Sequence, residues 1–147
     1  MALWQIEFII IPREKIIENT NVEEINSADL WNGYKIKECS INQVEQVLKR
    51  NKSWSEDIVQ LGYTSETVIE IMYDNDRIEE ITCRLDLRNI TKEIVETILN
   101  FIDINNLAVI VNNKIYTNLT KGIIIDIINE SDAYKFIKNP EKFLEEL

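Results

Sequence analysis

The sequence predicts an α+β fold: an antiparallel or mixed β-sheet of about four to six strands, with helices packed on one face. Three observations predict it. Val68 to Arg88 alternates apolar and polar residues about Asp74-Asn75-Asp76-Arg77, the pattern of a β-hairpin. Ala2 to Ile11 alternates in the same way, Trp4, Ile6, Phe8 and Ile10 against Gln5 and Glu7. Thr91 to Ile102 changes to helical spacing, with Ile94, Val95, Ile98, Leu99 and Ile102 on one face. Strands and helices do not alternate strictly, which argues against a doubly wound parallel sheet. At 147 residues the chain is expected to be one domain, 1–147.

Taken in order, the first strand ends in Ile9-Ile10-Ile11, apolar on both faces. That requires a central position in the sheet or cover from a loop. Pro12 cannot donate to a ladder and ends regular pairing. Arg13 to Ala28 is polar and weakly patterned, with a short helix around Glu14 to Glu18. Leu30 to Lys35 carries Asn32-Gly33 between aromatics, and Asn-Gly is a strong hairpin signal, so 28–37 reads as a small ribbon. Ser40 and Gln43 match a capping box, with Val44, Val47 and Leu48 following as an apolar stripe. A helix is predicted over Ile41 to Arg50. Lys52 to Gly62 reads as a loop with a helical turn.

The register of the central hairpin can be derived. With Asn75-Asp76 at the tip, Tyr73 faces Ile78. Continuing without interruption would set Ile71 against Glu80 and mix core with solvent. One extra residue near Glu79-Glu80 restores Ile71 to Ile81 and Ile69 to Cys83, so a β-bulge is predicted there. The core face is then Ile69, Ile71, Tyr73, Ile78, Ile81, Cys83, Leu85 and Leu87. Glu70, Met72, Thr82, Arg84, Asp86 and Arg88 take the other face.

Thr91 caps the long helix and Asn105-Asn106 ends it. Leu107 to Val111 is a short buried strand that Asn112-Asn113 turns back into Lys114 to Thr117. Thr120 to Asn129 is helical. Ser131 caps a further helix, and Asn139-Pro140, an N-cap followed by proline at the first helical position, starts the last.

Composition restricts function. The net charge is −10 and there is no histidine. An acidic surface repels phosphate backbones and anionic lipid, so neither nucleic acid nor a membrane surface is the expected partner. Without imidazole the usual neutral-pH base and the commonest metal ligand are missing. The three glycines, 33, 62 and 122, form no phosphate loop, and Cys39 and Cys83 form no thiolate cluster. No catalytic residue, cofactor or metal site is therefore assigned. The N-terminal MALWQIEFIIIPRE lacks the basic lead of a signal peptide, and no apolar run reaches membrane-spanning length. A soluble cytoplasmic protein with reduced cysteines is expected.

What remains is a binding surface. Asp74, Asp76, Glu79 and Glu80 surround the hairpin tip, either as a solvated turn or as a negative patch for Lys and Arg of a partner. Trp31 and Tyr34 flank the Asn-Gly turn, either as exposed anchors of the kind that dominate binding hot spots or as a lid on the core. Trp54 and Tyr63 are similarly ambiguous, whereas Trp4 reads as core. The expected partner is a basic protein. A homodimer through the exposed sheet face is the alternative, and a carboxylate-dependent enzyme is the third reading.

In the hairpin ending RLDLR and the C-terminal SDAYKFIKNPEKFLEEL, the chain resembles the immunity proteins of bacterial polymorphic toxin systems. The resemblance implies a cytosolic inhibitor that covers a toxin's active site or another essential surface. It carries over no individual residues.

Overall fold

In the computed structural model, residues 1–16 and 21–146 are described. They form a seven-stranded antiparallel sheet from β1 (Gln5–Pro12), β2 (Arg50–Asn51), β3 (Ile58–Gly62), β4 (Val68–Asp74), β5 (Arg77–Asp86), β6 (Leu107–Val111) and β7 (Lys114–Tyr116). The strand order is β2-β3-β4-β5-β1-β6-β7. The helices are α1 (Ser27–Leu30), α2 (Glu38–Glu45), α3 (Lys92–Ile104), α4 (Lys121–Glu130), α5 (Asp132–Lys138) and α6 (Pro140–Glu145). The α+β class is as expected; of the antiparallel and mixed sheets anticipated the antiparallel one forms, with more strands than four to six.

The central hairpin has the derived register: Tyr73 pairs with Ile78, the register shifts between Met72 and Tyr73, and Ile71 meets Ile81 and Ile69 meets Cys83. Asn75 sits at the tip with φ +56°, the left-handed conformation for which Asn is suited. β1 occupies the central position its two-sided apolar end required, between β5 and β6. On one face Ile6, Phe8 and Ile10 join Ile69, Ile71 and Ile81 in a core closed by α2, α3 and α4. On the other, Ile11, Ala108 and Ile110 pack beneath Ile16, Val22, Ile25 and Leu30 of the segment following β1.

That segment departs from the prediction. Residues 28–37 form α1 and a turn at Gly33 (φ +77°), not a ribbon. The expected helix near Glu14 is a 3₁₀ turn, Arg13–Lys15, and its Ile17 and Glu18 lie outside the described residues. The cause is Trp31, 1% exposed, whose Nε1–H donates to the Ile10 carbonyl at 3.3 Å and whose ring meets Tyr34 edge-on. Burying one large ring against the sheet outweighs the hairpin preference of Asn-Gly.

α2 also differs. It begins at Glu38, with Ser40 inside it rather than at its cap. The capping is tertiary. The Lys37 N–H donates to Asn105 Oδ1 at 2.9 Å, and Asn105 Nδ2 donates to Ser40 Oγ at 2.9 Å and to the Phe101 carbonyl. Tyr34 Oη donates to the Asn105 carbonyl at 2.8 Å. One buried amide thus ties the wrapping segment and α2 to the end of α3. α2 stops at Glu45, and Arg50–Asn51 is already strand.

The sequence predicts a loop where β3 lies because the apolar Ile58, Val59 and Leu61 do not alternate, and in the structure Ile58, Gln60 and Leu61 are all buried. Gln60 Nε2 donates to the Gly62 carbonyl at 2.9 Å, which removes its polar signal from the surface. Gly62 (φ +101°) lies so close to the Thr67 backbone that a Cβ would collide with the carbonyl oxygen.

α3 is capped by Thr91 and ends with Asn106 at φ +52°. Its apolar arc is wider than the predicted stripe, since Phe101 is fully buried as well. Asn112 and Asn113, φ +50° and +61°, turn β6 into β7 as predicted. Thr120, Ser131 and Asn139 cap α4, α5 and α6. Trp4, read as core, is only half-buried: β1 starts after it, the Arg88 guanidinium stacks at 4.0 Å from its ring, and its Nε1–H donates to the Ser65 carbonyl.

Two outcomes follow from this packing. Trp31→Ala should lower unfolding stability by about 3–5 kcal/mol in urea titration, since it empties a filled site and orphans the Ile10 carbonyl contact. Cys39 is exposed, whereas burial pushes the Cys83 thiol up to about 12. A thiol reagent at pH 8 should therefore modify one cysteine per native chain and both in denaturant.

Candidate functional site

The hairpin tip is built by Asp74 pairing with Arg77 across Asn75-Asp76, and the bulge follows immediately. This ejects Asp74, Asp76 and Glu79 into solvent, where all three are exposed. Glu80 separates from them. It lies beyond the bulge on the sheet face opposite the main core, half-buried, in the row that continues through Thr82 and Arg84.

Neighbouring strands add carboxylates to that face. Glu7 of β1 stands directly opposite Arg84, and Glu70 of β4 opposite Thr82. Arg84 pairs with Glu70. Glu7, Glu70 and Glu80 thus share this face with Arg84, whose guanidinium is engaged by Glu70. Burial raises the Glu80 carboxyl above the usual carboxylate range, and Glu7, Glu70 and Glu79 raise it further.

Trp31 and Tyr34 do not join this surface. Trp31 is core, and Tyr34 spends its hydroxyl on Asn105. The lid reading of the two aromatics is the one the fold adopts, and Trp31 cannot serve as an exposed anchor. An exposed ring sits elsewhere. Trp54, 81% exposed, belongs to the loop entering β3. That loop is held beside the tip of the hairpin by the Tyr73 N–H donating to the Asp57 carbonyl at 2.8 Å. Trp54 and the acidic tip therefore share one end of the sheet. The signal in the sequence was Ser53-Trp54-Ser55-Glu56-Asp57, a polar run that offers an indole nothing apolar to pack on.

The alternation Arg84, Asp86, Arg88 resolves into two different roles. Arg84 serves Glu70, while Asp86 is fully buried and accepts from the Arg88 backbone N–H, Nε and Nη2. Asp86 is a structural anchor for the end of β5, and its lone pairs are in use.

Among the described residues, no group of three or more Cys, Asp or Glu is arranged to hold a metal ion. No helix among them is long and apolar enough to cross a membrane. Set beside known proteins, the chain matches no family model, no curated protein and no solved structure.

The raised Glu80 pKa has a pH consequence. A carboxyl whose folded pKa lies above its unfolded value adds stability below the unfolded pKa and loses it as pH rises through the folded one. Glu80→Gln should therefore raise the urea midpoint at pH 7. The difference from the parent should shrink as pH falls toward the ordinary value of 4.5.

Proposed function

We propose that this chain is a non-enzymatic, acidic binding protein that covers a basic protein partner, and that the partner is a toxin domain neutralised by an immunity protein. The observation that carries the reading is the placement of an exposed Trp54 at the same end of the sheet as Asp74, Asp76 and Glu79. An indole supplies contact area at low entropic cost, and surrounding carboxylates steer a cationic surface toward it. The net charge of −10 extends that attraction over the whole molecule. The mechanism is steric occlusion: no bond is made or broken in the partner. Localisation in the bacterial cytoplasm follows from this role.

Self-association through the open sheet face is the weaker reading, because Glu7, Glu70 and Glu80 would meet like charges.

The test is binding to the product of the adjacent reading frame, followed by stopped-flow kinetics. The combination Asp74→Asn, Asp76→Asn and Glu79→Gln should slow association about tenfold at low ionic strength, with the difference fading in high salt. Trp54→Ala should act on dissociation instead, at a cost of about 2 kcal/mol. An acidic partner, or rates indifferent to all four substitutions, would refute the reading.

A further inference from the structure

β1 is paired on both sides only in its second half. Pairing with β5 covers Gln5 to Ile10, whereas pairing with β6 starts at Ile9, because β6 turns away at Asn112-Asn113. Gln5 to Phe8 therefore present a strand edge inside the sheet. The Trp4 carbonyl accepts from the Leu87 N–H at 3.0 Å. Backbone groups alternate sides along an antiparallel strand, so Ile6 and Phe8 turn toward β5 while Gln5 and Glu7 turn toward the open side. The Gln5 N–H is taken by the Ala2 carbonyl at 3.1 Å. Among the described residues no backbone partner takes the N–H or carbonyl of Glu7, which is exposed, whereas Gln5 is buried; Glu7 is thus where an incoming chain can pair.

An open groove of about 980 Å³ runs along this edge, with Ile9 and Ile110 among its apolar walls. Its charged side chains are Glu7, Glu80, Glu130 and Asp132, and among the described residues no lysine or arginine lines it. We infer that this groove receives an extended, lysine- or arginine-bearing segment of a protein partner, which adds to the edge of β1 as an extra strand. A strand edge offers donors and acceptors at the spacing of another extended backbone, and the side-chain lining then selects among sequences. Four carboxylates select cations. A second copy of β1 is disfavoured as occupant, because it would set Glu7 and its neighbours against like charges. The inference rests on the reading of a basic partner and adds to it the site and the backbone form of the ligand.

The experiment uses the full chain and two short synthetic peptides, one alternating Lys with Val and one alternating Glu with Val. Amide hydrogen exchange and NMR shifts are followed at low salt. The lysine peptide should bind and slow exchange at the Glu7 amide, and the glutamate peptide should do neither. Glu7→Pro deletes the edge N–H while leaving the Ile6 and Phe8 bonds to β5 in place, and should weaken binding roughly tenfold. Should Glu7→Pro fail to fold, Glu7→Gln keeps the N–H and should still weaken binding about threefold through lost charge.

Shifts centred on the hairpin tip, no binding of the lysine peptide, unchanged affinity in the folded Glu7 variants, or a dimer through β1 would each overturn the inference. The two readings fail separately. A basic toxin domain that binds equally well to Glu7→Pro leaves the partner and removes the groove. A lysine peptide that adds at Glu7 while the adjacent gene product does not bind leaves the groove and removes the toxin.

Discussion

The run Ile9-Ile10-Ile11 puts apolar side chains on both faces of a strand in the middle of the sheet, so each face needs its own cover. Helices supply one cover. The other comes from the segment after β1, which lies over Ile11, Ala108 and Ile110 and then crosses back at Trp31 to enter α2. Asn105 fixes the end of that crossing by bonding Lys37 and Ser40 and accepting from Tyr34 through its carbonyl. With β1 held this way, the first core is continuous from α2 to α4, and the acidic hairpin is free to project from it. The chain's polar chemistry is pushed to the rim and to the uncovered part of one face.

What could be read from the residues was whatever is decided locally or by alternation. The bulge near Glu79 was forced by two apolar patterns that would otherwise mismatch, and the structure has it there. The caps at Thr91, Ser131 and Asn139 were legible because capping is a bond between near neighbours. Where distant residues decide, reading along the chain failed. Ser40 looked like a cap because nothing nearby revealed Asn105. Asn32-Gly33 looked like a hairpin because nothing nearby revealed that Trp31 would reach Ile10. β3 was hidden because both of its faces are buried, which erases period two.

The candidate site was legible in part. Asp74, Asp76 and Glu79 are as exposed as their turn implied, but Glu80 belongs to a different surface because the bulge stands between them. Trp31 and Tyr34 were candidates by residue type and went to the interior. Trp54 and Tyr63, which sequence left undecided, are both exposed, Trp54 the more so. Aromatic residues carry both large apolar area and interface preference, so type alone cannot separate the two uses. Only the location of neighbouring apolar surface can.

The position of β1 also bears on how the molecule is made. It is the earliest of the seven strands to leave the ribosome, yet Ile6 waits for Leu85, and Ile9 waits for Ile110. A sheet closed by such distant pairings is slow to form, and an apolar strand synthesised long before its partners is open to capture by others. Glu7 inside that strand, and the surplus of negative charge that grows with the nascent chain, are features that oppose such capture.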